Sequence, residues 1–221
     1  SVLNASQDKE ELFSAVSDLF RTYHSQGDLE ATERYVNYGL EMTSKWDSKI
    51  PFARILFSKS RLFDYFGLVD SAYLAAKEVL RIYEEEGYTK GLGDAHNIVG
   101  MYLTSFGKYA ESNTHLIAAV DFGRKLGDSI TVGDALNNLA INYDDLGEND
   151  EAIKYYYQAI RSFRNEEDKS KVLRTFGNIA DLKSELGYYG EAIDILLTIT
   201  ADIDTSYIEN KIGLCHRYNS L

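Results

Sequence analysis

Gly27, Gly67, Gly107, Gly147 and Gly187 stand at one interval, since 67 − 27, 107 − 67, 147 − 107 and 187 − 147 are all 40. A chain that repeats at this period folds as a stack of similar supersecondary units, each too small to bury its apolar face without its neighbours. With the glycine counted as the fifteenth residue, the units run 13–52, 53–92, 93–132, 133–172 and 173–212. A lead-in at 1–12 precedes them, and 213–221 forms the start of a truncated sixth unit. The chain has a single proline, Pro51. Proline breaks helices and furnishes loops, and globular chains average about 5% of it, so its scarcity points to long helices.

Other columns keep the same period. Five residues after the glycine stand Thr32, Ala72, Ser112, Ala152 and Ala192, and seven before it stand Phe20, Ser60, Gly100, Ala140 and Ala180. Small residues at both positions predict a close approach of two helix backbones. Leu19, Val99, Leu139 and Ile179, eight before the glycine, and Phe66, Phe106, Leu146 and Leu186, directly before it, supply the apolar stripe each unit is expected to bury. Unit two carries Lys59 at the first of these positions. Within the fourth unit Leu136, Leu139, Ala140 and Tyr143 recur at steps of three and four, as do Ala152, Tyr156, Ala159, Ile160 and Phe163, which predicts helix, turn, helix. The glycine ends the first helix at positive φ, and Asp28, Glu148, Asn149 and Asp150 favour the start of the second.

These residues resemble a tetratricopeptide repeat. Leu139-Ala140-Ile141-Asn142-Tyr143, Gly147, Ala152, Tyr156 and Ala159 match its pattern best, followed by Ile179-Ala180, Gly187, Ala192 and Leu196. The resemblance covers 13–212 and departs from the common form in its 40-residue period, against 34, and in lacking the closing proline. Segments such as Gly127-Asp128-Ser129-Ile130 account for the extra length. The resemblance implies an all-α fold, a right-handed superhelix of about five antiparallel helix pairs whose first helices line a concave groove for a protein or an extended peptide.

Charge and cysteine content narrow the remaining classes. With 23 basic and 35 acidic residues the formal net charge is −12, which disfavours phosphate backbones and anionic lipid, so neither nucleic acid nor direct membrane contact is expected. The single cysteine, Cys215, excludes an internal disulfide and a cysteine-rich metal site, and a cytoplasmic location follows as the default. No window is apolar enough to span a membrane.

Catalytic signals are absent from the sequence. His24, His96, His115 and His216 form no pair spaced for metal binding on one helix, and Cys215-His216 are mere sequence neighbours. Gly91-Leu92-Gly93 lacks the rest of a phosphate-binding loop and reads as an inter-repeat linker, and Glu84-Glu85-Glu86 reads as a solvated helix end. The chain is expected to need no cofactor or metal and to be non-enzymatic; the rival reading has Asp144, Asp145 and Asp181 in acid–base or metal chemistry.

Asparagine supplies the candidate binding residues. Asn97 and Asn137 share one column, Asn138 and Asn178 the next. An amide offers both donor and acceptor and can grip a peptide main chain without regard to sequence. Ala135-Leu136-Asn137-Asn138-Leu139-Ala140 looks like the groove helix of kinesin light chains and of bacterial peptide-pheromone receptors, which implies a ligand role for these amides; the alternative is that they bond across repeats and stiffen the stack. Arg21, Arg54 and Arg61 lie in the first two units, and Asp134, Asp144, Asp145, Asp181 and Glu185 in the last two, with Arg174 the exception; this reads either as the solvated surface of an acidic protein or as a polarised groove that orients a peptide. The residues expected to bind the ligand are Asn97, Asn137, Asn138, Asn178, Arg54, Arg61, Arg174 and Asp181.

A chain that lacks an initiating methionine and ends inside a repeat is expected to be a segment of a longer protein. By resemblance, that protein is a bacterial signalling protein in which the repeats form the sensory part ahead of a diguanylate cyclase, a histidine kinase or a transcription regulator. The alternative is a peptide-pheromone receptor, and a homodimer is compatible with either.

Overall fold

The computed structural model describes residues 13–15, 18, 22–23, 26–163 and 169–201. Among these there are nine long α-helices and no strand: α1 (Leu29–Ser44), α2 (Ile50–Tyr65), α3 (Val69–Glu85), α4 (Thr89–Ser105), α5 (Tyr109–Leu126), α6 (Ser129–Asp145), α7 (Asn149–Phe163), α8 (Ser170–Glu185) and α9 (Tyr189–Ala201). Helical residues 13–15, 18 and 22–23 precede them. Leu19, Phe20, Arg21, His24, Cys215 and His216, the lead-in at 1–12 and the unit begun at 213 lie outside the described residues. First helices start at Ile50, Thr89, Ser129 and Ser170, three or four residues ahead of the units counted from the glycines at 53, 93, 133 and 173.

Every ruler glycine has positive φ, from 69° at Gly107 to 81° at Gly187. The reason is visible at Gly107, whose N–H donates to the Thr104 carbonyl (2.8 Å) while Lys108 N–H reaches back to Leu103 (2.9 Å). This double bond pattern satisfies the orphan carbonyls of a helix end and needs a left-handed residue. A second glycine series, Gly87 and Gly127, again 40 apart, has φ of 64° and 70° and closes α3 and α5. The sequence reading places turns only at the first series. Helix starts are equally explicit: Asp28 Oδ1 accepts from Ala31 N–H (3.0 Å), Asp128 Oδ1 accepts from Ile130 (3.1 Å) and Thr131 (3.0 Å), and Pro51 occupies the first turn of α2, where its missing N–H leaves nothing unpaired.

The chain divides into two compact units, Ser1–Asn138 and Leu139–Leu221, with the boundary inside α6. In the first unit the core is built from α2–α5, around Ala72, Ala76, Val79, Ala95, Val99, Tyr102 and Leu103. The small columns do meet there: Ser60 Oγ donates to the Ala72 carbonyl (2.9 Å), and Ser112 Oγ donates to the Gly100 carbonyl (2.8 Å), so the backbones of paired helices lie one side chain apart. A Cβ at Gly100 would stand 2.7 Å from Leu116 Cδ2, closer than van der Waals contact permits. In the second unit Ala140, Ala152, Tyr156, Ile160, Ile179 and Leu182 form one cluster, and Ala180, Ala192 and Leu196 another.

Two expectations are corrected. Gly91-Leu92-Gly93 is no linker: all three residues are buried inside α4. A Cβ at Gly91 would collide with the ring of Tyr83, and one at Gly93 would lie 2.9 Å from Thr131 Cγ2, so these glycines mark close packing. The residues directly before the ruler glycines do not join the buried stripe. Phe66, Leu146 and Leu186 are 44%, 48% and 39% exposed, because each cap turns outward at the end of its helix, whereas Val99, Leu139 and Ile179, two turns back, are buried.

Candidate functional site

The first helices carry the amides. Asn97 stands on α4 and Asn138 on α6, both half-buried, and Asn138 Nδ2 donates to Asn97 Oδ1 at 3.0 Å across neighbouring repeats of the first unit. The bond uses one donor of Asn138 and the acceptor of Asn97. Among the described residues nothing else bonds to these two amides, so Asn97 Nδ2 and Asn138 Oδ1 remain as an adjacent donor and acceptor. Asn137 is different. It is 3% exposed and partnered. Adjacent helix positions point about 100° apart, so Asn138 is turned outward while its neighbour is turned in.

The remaining candidates are distributed as follows. Arg54 and Arg61 are exposed on α2, and the Arg54 guanidinium lies 4.5 Å over the Phe13 ring. In the second unit Arg174 is exposed on α8, Asn178 and Asp181 are half-buried there, and all three have interaction partners. The carboxylates of the rival reading share one environment. Asp144 accepts from the Tyr156 hydroxyl at 3.3 Å. Burial pushes its carboxyl above the usual range, the Tyr156 bond opposes that, and the charges of Glu185, Asp145 and Asp181 add to the rise. Asp144 and Asp145 are also the last two residues of α6, at the negative end of its dipole. This is mutual repulsion rather than a ligand shell; among the described residues no three His, Cys, Asp or Glu side chains are placed to hold a metal ion.

The structure also joins two residues that the sequence reading left apart. His96 on α4 and His115 on α5 face each other across the Gly107 turn, with their Nδ1 atoms 3.0 Å apart. The signal was present in the columns: sister repeats carry Leu56, Leu136 and Phe176 where His96 stands, and Tyr35, Ala75, Tyr155 and Ile195 where His115 stands.

Comparison with known proteins agrees with this geometry. The family model described as tetratricopeptide repeat matches residues 92–165 and 131–201. The chain is a tetratricopeptide-type repeat protein. A model described as anaphase-promoting complex subunit 5 matches residues 4–102. Among solved structures, the repeats superpose on BtubC (BKLC) from P. vanneervenii with a TM-score of 0.72 at 18% identity, covering 86% of this chain and 79% of that one. A kinesin light chain repeat protein of Podosopora anserina gives 0.66 at 15% identity over 90% and 95% of the two chains. A Rap protein complexed with competence and sporulation factor gives 0.71 at 18% identity, over 80% of this chain and about half, 49%, of the Rap chain. No curated protein matches by sequence. At these identities the likeness concerns the fold. None of the described helices of this tetratricopeptide protein is long and apolar enough to cross a membrane.

Proposed function

We propose that this chain is a non-catalytic module that binds a protein segment or peptide in extended form, gripping its main chain at Asn97 and Asn138. The observation that carries the reading is the cross-repeat amide pair with the Asn97 NH2 group and the Asn138 carbonyl oxygen left over. A peptide group presents the complementary acceptor and donor, so the pair can read a main chain irrespective of its side chains. Asn178, Arg174 and Asp181 on α8 are proposed as further contacts, and Arg54 and Arg61 as the site for acidic ligand groups. The wider context is the sensory region of a bacterial cytoplasmic signalling protein, supported by the fold likeness to a Rap protein.

The test is selection of linear peptides from a random displayed library on the immobilised chain, followed by single N-methylation along a selected peptide. Main-chain recognition predicts that methylation at one or two positions abolishes binding while side-chain changes there are tolerated. Loss on side-chain change with indifference to N-methylation would sink the reading. A pheromone-receptor function is the second reading, favoured by the same Rap likeness, the Rap chain having been solved with a competence and sporulation factor. It predicts that extracts of spent culture medium raise the melting temperature of the chain, which a scaffold for large partners does not require.

A further inference from the structure

His96 and His115 interrupt two columns that hold aliphatic or aromatic residues in the sister repeats, and they do so in the same repeat and opposite each other. Imidazoles half-buried at a helix–helix contact lose part of their hydration, and a bond between them offsets that cost. Their Nδ1 atoms are 3.0 Å apart and their ring centres 5.2 Å, only 5.2 − 3.0 = 2.2 Å more, so the rings meet head on. That is the alignment of an N–H···N bond. A metal about 2.0–2.1 Å from each nitrogen would need the two lone pairs to converge on a third point. His96 is further fixed by stacking on Phe122 at 5.7 Å and 12°.

A head-to-head Nδ1 contact holds one proton between its nitrogens. With both rings neutral, one Nδ1–H donates and the other Nδ1 accepts. A first added proton is tolerated, because an imidazolium still donates to its neutral partner. A second removes the last acceptor and sets two cations in contact. We infer that the His96–His115 pair is a proton-operated latch between α4 and α5, closed while at least one ring is neutral and released by the second proton.

The charged surroundings set the order of events. Burial lowers the basicity of His115, while Glu84 on α3 and Glu111 on α5 favour its cation and Lys77 on α3 opposes it. Burial, and then His115 itself, push His96 down to about 4. Lys125 lies over Phe122, at 5.5 Å, and Asp94, two residues before His96, accepts from Thr131 at 2.8 Å. The first proton therefore goes to His115, beside two carboxylates, and the second to His96.

The experiment follows the imidazole carbons and backbone amides of the chain by NMR from pH 8 to pH 4, beside the H96L/H115I variant, whose residues occur at these columns in sister repeats. The expected result is sequential titration of the two rings, both below the ordinary histidine value of about 6.5. Amide protection in α4 and α5, corrected for intrinsic exchange, should fall about tenfold between pH 7 and pH 4 in the wild type, tenfold being one unit of differential protonation, and stay level in the variant. Independent titration of both rings near 6.5, or an equal fall in protection in both proteins, overturns the inference. Stabilisation of the wild type but not the variant by added Zn²⁺ overturns it as well, by showing a chelate. Should the variant fail to fold, the wild-type titration decides alone.

Discussion

Repeat three and the carboxylate cluster of the second unit are built on helix pairs of the same kind and respond to acid in opposite directions. His96 is held below its ordinary value by burial and by His115, so between about 4 and 6.5 the unfolded chain binds more protons than the folded one. The stability it contributes is complete above pH 6.5 and is lost as the pH falls toward 4. Asp144 is held above its ordinary value by burial and by Glu185, Asp145 and Asp181. Here the folded chain binds more protons, so stability is complete below the ordinary carboxylate value and is lost as the pH rises through the raised one. The difference teaches that the helix-pair frame leaves the chemistry at its exchangeable columns open. Position 115 is a histidine where position 195 is an isoleucine packed with Phe176 in an apolar cluster.

The largest effects should come from the frame that both regions share. Ala152 has no exposed surface and lies in the cluster of Tyr156 and Ile179. Ala152→Leu adds methylenes where two backbones approach and should lower stability by about 1–3 kcal/mol in urea denaturation. Ser112→Leu, in the same column of repeat three, should do the same and also break the bond to the Gly100 carbonyl. An unchanged midpoint for either variant would mean that the column does not mark the contact.

Next come the buried polar partners. His96→Leu alone leaves His115 without its acceptor or donor and should cost about 1–3 kcal/mol, whereas H96L/H115I should recover most of that, since removing both partners of a bond is milder than removing one. Asn137→Ala, at a residue that is buried and partnered, belongs to the same class and should lower the melting temperature. Equal destabilisation by the single and double histidine variants would show that the two rings do not act as a pair.

How much of this was legible in the chain depends on whether backbone or side chain carried the signal. Turns at Gly27, Gly67, Gly107, Gly147 and Gly187 were readable because a helix end of this kind admits almost nothing else. Gly91 and Gly93 were misread because a glycine inside a helix and one in a linker look alike until the facing Tyr83 and Thr131 side chains are placed. The exposure of Phe66 and Leu146 was hidden for a related reason: they stand at the helical C-caps, where the periodicity that predicts burial stops. The two asparagine columns were visible, yet the burial of Asn137 beside a half-buried Asn138 depends on a helix rotation that a 40-residue ruler does not measure. The His96–His115 pair lies 19 residues apart, symmetric about neither helix period, and only the docking of α4 on α5 brings it together.

A smaller effect tests the opposed pH responses directly. Asp144→Asn keeps an oxygen for the Tyr156 hydroxyl while removing one charge from the cluster. It should stabilise the chain by about 0.5 kcal/mol at pH 7, a size set by the partly exposed, screened surroundings, and by progressively less as the pH falls through the raised value of the carboxyl. A benefit that is larger at pH 4 than at pH 7 would contradict the direction assigned to Asp144.

The smallest expected change separates the outward amide from the inward one. Asn138 lends a single neutral bond to Asn97, and both side chains are half-buried, so Asn138→Ala returns Asn97 Oδ1 to water rather than orphaning it. The effect on folding should therefore stay within about 0.5 kcal/mol, as for surface changes in general. Binding of a library-selected peptide should weaken by about 0.5–1.5 kcal/mol, the net worth of one neutral hydrogen bond, seen as a shift in Kd by calorimetry. Because the lost bond is uncharged, the shift should be the same at low and high salt, whereas Arg54→Ala or Arg61→Ala should weaken an acidic peptide mainly at low salt, where screening is least. If Asn138→Ala instead unfolds the chain and leaves Kd untouched in the folded fraction, the amide pair is a brace between repeats, and the peptide must be held by other side chains of the first helices.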